Sequence, residues 1–77
     1  MSDMFPMHTV APREVIDLGQ GVEVWEFTAT RTQLRVDGVA VKQFFTETAW
    51  NDAIREGSDI ALEIFLNGKA PKGVWKK

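Results

Sequence analysis

The chain contains no cysteine and only one histidine among its 77 residues. Without cysteine it has neither disulfides nor thiolate metal ligands. Catalysis by a hydroxyl or thiol nucleophile needs an oriented base, most often histidine, and His8 stands alone in an N-terminal segment that contains Met and Pro. We therefore expect no catalytic residues, no metal ligands, no bound cofactor and no enzymatic activity.

Two other kinds of functional site are paired carboxylates, which bind metals or transfer protons, and glycine loops, which bind phosphate. The sequence contains such carboxylates and glycines without the flanking residues that these sites require. Asp52 and Glu56 stand four positions apart, but no calcium-loop pattern or histidine-containing metal motif surrounds them. Gly19 and Gly21 lead into a strand pattern, whereas a phosphate-binding loop leads into a helix. We interpret the carboxylates as a solvated helix face and the glycines as turn residues.

Long apolar runs are missing as well. The first residues, "MSDMFPMHTVAP", carry an acidic side chain where a signal peptide is positive, and they lack its unbroken apolar stretch of about 7 to 15 residues. No stretch approaches the roughly 20 apolar residues of a membrane helix. The formal net charge of −2 gives no overall attraction to nucleic acid or membrane. We expect a cytoplasmic protein.

The short length limits the size of the hydrophobic core. A chain of this size buries only about 60% of the surface that its unfolded form exposes, so small domains often gain stability from a partner. We expect one domain over residues 1–77. In this interpretation residues 1–12 form an N-terminal arm, and residues 67–77 form a basic C-terminal tail or an edge strand.

The strongest local signal is Asp37-Gly38, a dipeptide favoured in two-residue hairpin turns. With this turn, Val36 lies opposite Val39 and Leu34 lies opposite Val41. All four apolar side chains then share one face of the sheet, so turn chemistry and hydrophobic pattern agree. The sequence predicts a hairpin here.

An earlier hairpin is predicted around a three-residue loop at residues 19–21, with Gly21 in the left-handed conformation. The predicted pairs are Leu18 with Val22 and Ile16 with Val24. After Val24 the apolar phase changes, because Trp25 and Phe27 fall on the other face. Either a bulge lies near Val24 and Trp25, or this strand is central and covered on both faces.

Apolar residues at helical spacing follow in "FTETAWNDAIREGSD", which predicts an amphipathic helix of two to three turns that ends at Gly57. Trp50 and Ile54 should face the sheet. Alternating apolar residues over 59–66 then predict a further strand. The fold class is α+β, an antiparallel sheet of four or five strands with one short amphipathic helix packed on a face.

Charge is unevenly distributed. Residues 1–66 carry five basic side chains against all eleven acidic ones, a net of −6, whereas residues 67–77 carry four lysines. Such asymmetry can mark an interaction tail or a tail that folds back onto an acidic body. We expect a protein–protein interaction module, a small regulator or inhibitor that binds a larger protein. The expected partner-binding residues are Trp75, Lys69, Lys72, Lys76, Lys77, Met4, Phe5 and Met7.

The aromatic content supports this expectation, because Trp and Phe are frequent anchors of interfaces. Trp25 and Trp50 are more simply interpreted as core residues. One alternative is single-stranded nucleic-acid binding, with the tail lysines on phosphates and Trp75 stacked on a base. Another is a homodimeric structural domain. Size and composition alone are typical of a bacterial or phage accessory protein.

Overall fold

The computed structural model describes residues 11–71, which form one antiparallel sheet and one helix. The elements in chain order are β1 (Glu14–Gly19), β2 (Val22–Thr28), β3 (Arg31–Val36), β4 (Val39–Phe44) and α1 (Ala49–Asn67). The strand order in the sheet is β1-β2-β3-β4, and α1 packs on one face. The α+β class and the antiparallel sheet are confirmed, with four strands.

The first hairpin has the predicted strands but a shorter loop. Gln20 and Gly21 both have positive φ values, 56° and 80°, and form the whole connection between β1 and β2. Ile16 pairs with Val24 as predicted. The register then shifts, so that Gly19 and not Leu18 lies opposite Val22. The physical reason is a bulge, which leaves Leu18 as an extra residue on β1.

The second hairpin turns at Asp37 and Gly38, with φ values of 53° and 81°. Two successive positive values define the type I′ turn, and Val36 pairs with Val39 as predicted. The next prediction is wrong, since Leu34 lies opposite Lys42 rather than Val41. The irregularity in the ladder brings Lys42 to the helix side of the sheet, where its amine contacts α1.

Strand β2 is central, with β1 and β3 as its neighbours. Its pairing stays regular through Val24 and Trp25, so the bulge considered there is not present. The ladder to β3 shifts later, between Glu26 and Thr28. Val22 and Val24 are fully buried beneath the helix, whereas Trp25 is half-buried on the outer face. Among residues 11–71, another element therefore covers only one face of the strand.

The helix is much longer than predicted. It continues through Gly57 to Asn67, and it ends at Gly68, whose φ is 79° and whose N–H donates to the carbonyl of Ile64 at 2.7 Å. The strand predicted over residues 59–66 is therefore wrong. Asn67 belongs to α1, and residues 68–71 form no strand.

The core lies between α1 and the helix-facing side of the sheet. Its fully buried side chains come mainly from β2 and β3, and its helical side is contributed by small residues such as Ala53 and Gly57. Trp50 and Ile54 are half-buried and pack against this core, as predicted. Within residues 11–71, α1 carries five charged side chains, and no helix is apolar enough to cross a membrane.

Candidate docking surface

The residues expected to bind a partner fall almost entirely outside the described part of the chain. Lys69 lies just beyond the end of α1 and is exposed. The others are outside residues 11–71, namely Trp75, Lys72, Lys76, Lys77, Met4, Phe5 and Met7. Their role in binding stays a prediction.

The carboxylates of Asp52 and Glu56 on α1 form ion pairs with nearby basic side chains. The amine of Lys42 lies 3.0 Å from Oε1 of Glu56, and the guanidinium of Arg55 lies 3.1 Å from Oδ1 of Asp52. Both pairs are largely exposed, and each contributes at most about 1 kcal/mol. Across residues 11–71, no cluster of three or more His, Cys, Asp or Glu side chains is placed to hold a metal ion.

An open cleft of about 540 Å³ lies between β4 and α1. Phe44 lines it, and the amine of Lys42 lies 5.0 Å from the centre of that ring. The remaining lining residues are Asp52, Arg55, Glu56 and Asp59. Four of the charged side chains that line the cleft form ion pairs with one another, Lys42 with Glu56 and Arg55 with Asp52. Most of the charge around the cleft is therefore balanced within the domain.

The outer face of the sheet carries two aromatic rings. The indole N–H of Trp25 donates to Oε1 of Glu23 at 2.9 Å, and the guanidinium of Arg35 lies 4.3 Å from the ring centre. The ring centres of Phe27 and Trp25 lie 6.3 Å apart, and the guanidinium carbon of Arg31 lies 5.1 Å from the centre of the Phe27 ring. The rings are thus covered by side chains of their own sheet, which leaves little free aromatic surface for a stacked ligand.

Arg35 is held over Trp25 by hydrogen bonds of its own. Its guanidinium donates to Oε1 of Gln33 and to the carbonyl of Gly38, both at 2.7 Å. A planar guanidinium fixed at two ends and stacked on a ring is a well-ordered group. On the outer face of the sheet, polar side chains of the strands therefore cover the ring of Trp25.

Both sheet edges carry features that oppose the addition of another strand. The register irregularities at Leu18 on β1 and near Val41 on β4 interrupt the regular edge. Lys42 also places a charge on the edge strand. Bulges and edge lysines are common protections against edge-to-edge pairing. Association through the sheet edges is therefore disfavoured.

The outward face of α1 differs from these surfaces, because it exposes three large apolar side chains next to one another. Leu62, Phe65 and Leu66 are 56%, 70% and 67% exposed, and we call them the α1 stripe. Their i, i+3, i+4 spacing places them side by side. At about 100° per residue they point away from Ala53 and Gly57, which face the sheet. The last turns of α1 are therefore apolar on two opposite faces.

Sequence reasoning missed the α1 stripe because it assigned these residues to a strand. The available signal was the continuation of core spacing from Ala53 through Gly57 to Ile60 and Ile64. Once that face is assigned to the core, Leu62, Phe65 and Leu66 are left over as surplus apolar residues. A surplus of this kind on a charged helix is the recognisable pattern of a second contact face.

Two acidic residues border the α1 stripe on one side. Asp59 precedes Leu62 by three positions, and Glu63 precedes Leu66 by three positions, so each is adjacent to a stripe residue on the helix surface. Both are exposed. Oε1 of Glu63 accepts a hydrogen bond from the side-chain amide of Asn67 at 2.9 Å. The surface thus combines an apolar centre with a negative edge.

No protein-family model matches the chain, and no curated protein or solved structure shows significant similarity to it.

Proposed function

We propose that the chain is a non-enzymatic protein–protein interaction module that binds a larger protein through the α1 stripe. The observation that carries this proposal is the exposure of Leu62, Phe65 and Leu66, side by side on a helix face that no described element covers. Three anchors at i, i+3 and i+4 are the typical contacts of a helix that lies in an apolar groove. A small regulator or inhibitor that occupies such a groove fits this geometry.

The energy available from the α1 stripe suits a reversible complex. Full burial of a Leu or Phe side chain contributes about 1.5 to 3 kcal/mol, and each of the three is already partly buried. Together they supply roughly 3 to 6 kcal/mol before the costs of association. Further contacts around the stripe are needed for tight binding, which favours a larger partner whose groove surrounds the helix.

Self-association through the same surface is less well supported. In an antiparallel pairing of two copies about a two-fold axis, each edge of the helix meets the same edge of the other copy. The edge that carries Asp59 and Glu63 would then face an identical acidic edge, which is destabilising. The charge pattern therefore disfavours this antiparallel self-pairing, and the proposal takes a different protein as the partner.

The described surface also gives no support to nucleic-acid binding. A phosphate backbone attracts basic side chains, and the border of the α1 stripe is acidic. On the outer sheet face, arginines already cover the rings of Trp25 and Phe27. Single-stranded nucleic-acid binding through the C-terminal lysines and Trp75 stays the alternative proposal, and it depends on residues outside 11–71.

Affinity capture from a lysate, with and without nuclease treatment, tests the proposal. The full chain is immobilised as wild type, as Phe65→Gln and as the matched control Val15→Gln, since Val15 is an exposed apolar residue on the opposite side of the molecule. We expect defined proteins to be retained by wild type and Val15→Gln and lost with Phe65→Gln. Equal retention by all three proteins, or retention that nuclease abolishes, contradicts the proposal.

A further inference from the structure

We infer that the partner's groove is bordered by lysine or arginine side chains, on the side that meets Asp59 and Glu63. This inference rests on the proposed function and specifies the chemistry of the partner. The α1 stripe contributes apolar contact area to binding. The charges of Asp59 and Glu63 determine specificity, because they favour apolar grooves with a basic border over grooves with an acidic one.

The charges along α1 are not equivalent. Four carboxylates recur along one flank of the helix, at Asp52, Glu56, Asp59 and Glu63. The first two are matched within the domain, Asp52 by Arg55 and Glu56 by Lys42. Within residues 11–71, Asp59 and Glu63 form no ion pair. The last turn of the helix contains no basic residue either. Along α1, the carboxylates that lack an ion pair among the described residues are therefore the two beside the α1 stripe.

The carboxylates of Asp59 and Glu63 lie next to the α1 stripe, so they lie at the edge of a contact that the stripe forms. Residues three apart on a helix have Cβ atoms about 5 to 6 Å apart, so Asp59 adjoins Leu62 and Glu63 adjoins Leu66. A groove that encloses the stripe brings its rim against both carboxylates. An acidic rim would meet them with like-charge repulsion, whereas a basic rim would attract them and speed encounter. The same pattern disfavours anionic membrane surfaces, which bind helices bordered by Lys or Arg.

Two designed peptides serve as probes, because the natural partner is not identified. Each is an amphipathic peptide of the same length and leucine pattern, one with lysine and one with glutamate at every polar position. Binding to the isotope-labelled full chain is followed by the amide chemical shifts of Leu62, Phe65 and Leu66. We expect the lysine peptide to shift these resonances in a saturable way and the glutamate peptide to bind at least about tenfold more weakly.

A pair of double variants separates the proposed edge from general attraction between a basic peptide and an acidic protein. Asp59→Asn with Glu63→Gln should weaken binding of the lysine peptide about two- to fivefold, the range expected for two exposed charge contacts. The control, Asp17→Asn with Glu47→Gln, removes the same charge from exposed positions outside this edge and should change binding less than about 1.5-fold. Equal effects of the two double variants would overturn the inference.

The outcome also distinguishes this inference from the proposed function. If both peptides shift the stripe resonances with equal affinity, the basic rim is wrong although the α1 stripe still binds. If neither peptide shifts those resonances, the inference fails. The capture experiment with Phe65→Gln then decides the proposed function separately.

Discussion

Gly57 of α1 lies so close to Leu18 of β1 that a Cβ atom placed on the glycine would be 2.7 Å from Cδ1 of Leu18. The same Cβ would be 3.0 Å from Cδ1 of Leu34, which is fully buried. The glycine therefore lets the helix approach the sheet. It occupies the middle of α1, where its backbone flexibility is a disadvantage that the close packing offsets.

The first prediction is that Gly57→Val destabilises the fold by about 2 kcal/mol or more. The larger side chain overfills a packed site, and overpacking typically costs about 1 to 3 kcal/mol, which outweighs the few tenths of a kcal/mol that valine gains over glycine in helix propensity. Urea unfolding measures the change. Ser58→Val is the matched control, because Ser58 is the next residue of the same helix and is exposed. Equal costs at the two positions would show that Gly57 is not a close-packing residue.

This contact explains why the helix was difficult to predict. Glycine is the commonest residue just past a helix end, so the sequence favours Gly57 as a cap and predicts a strand from the alternating residues after it. The true cap is Gly68, which has the left-handed φ of 79°. Local propensity cannot distinguish a capping glycine from one required by tertiary packing, because the packing partners Leu18, Val22 and Leu34 lie more than 20 residues earlier, in β1, β2 and β3.

The hairpins were predictable because turn chemistry is local. Asp37-Gly38 and Gln20-Gly21 both supply the positive φ values that a two-residue turn needs. The register errors at Leu18 and Val41 have a different cause. The irregularity at Val41 has no distinctive sequence signal, whereas the bulge on β1 lies beside Gly19, whose φ is 88°. Each irregularity shifts the partners of the neighbouring residues while leaving the strands intact.

The second prediction concerns the turn at Gly38, whose φ is 81°. Replacement by valine should destabilise the fold by more than about 1 kcal/mol, since β-branched residues strongly disfavour positive φ. Gly38→Asn should cost less than Gly38→Val, because asparagine tolerates the left-handed region. Urea midpoints that coincide for wild type and Gly38→Val would contradict the turn assignment.

Prediction of the candidate site was limited by the misassigned helix. Read as a strand, residues 59–66 distribute their apolar side chains over two faces, so the sequence offers no continuous apolar patch there. Leu62 and Leu66 became a recognisable surface only when the helix placed them beside Phe65 and opposite the core. Recognition of the α1 stripe thus depends on a long-range packing contact at Gly57.

The third prediction concerns the C-terminal tail. If Trp75 is a binding anchor, as the sequence predicts, Trp75→Ala should weaken the complex with the captured partner by at least about 2 kcal/mol. Replacement of Lys72, Lys76 and Lys77 by glutamine should mainly slow association and reduce its salt dependence. Surface plasmon resonance separates the two effects. Unchanged affinity and association rate in both variants would exclude the tail from binding.

A site-specific photo-crosslink tests the central claim most directly. The chain has no cysteine, so Ser58→Cys, which lies on the outward face of α1 four residues before Leu62, can carry a single maleimide photo-crosslinker. Gln43→Cys, an exposed position on β4, is the matched control. The account predicts a discrete protein adduct from the Ser58 position that is absent from Gln43→Cys and lost when Phe65→Gln is added. Adducts that are identical at both positions, or that survive Phe65→Gln, would contradict binding through the α1 stripe.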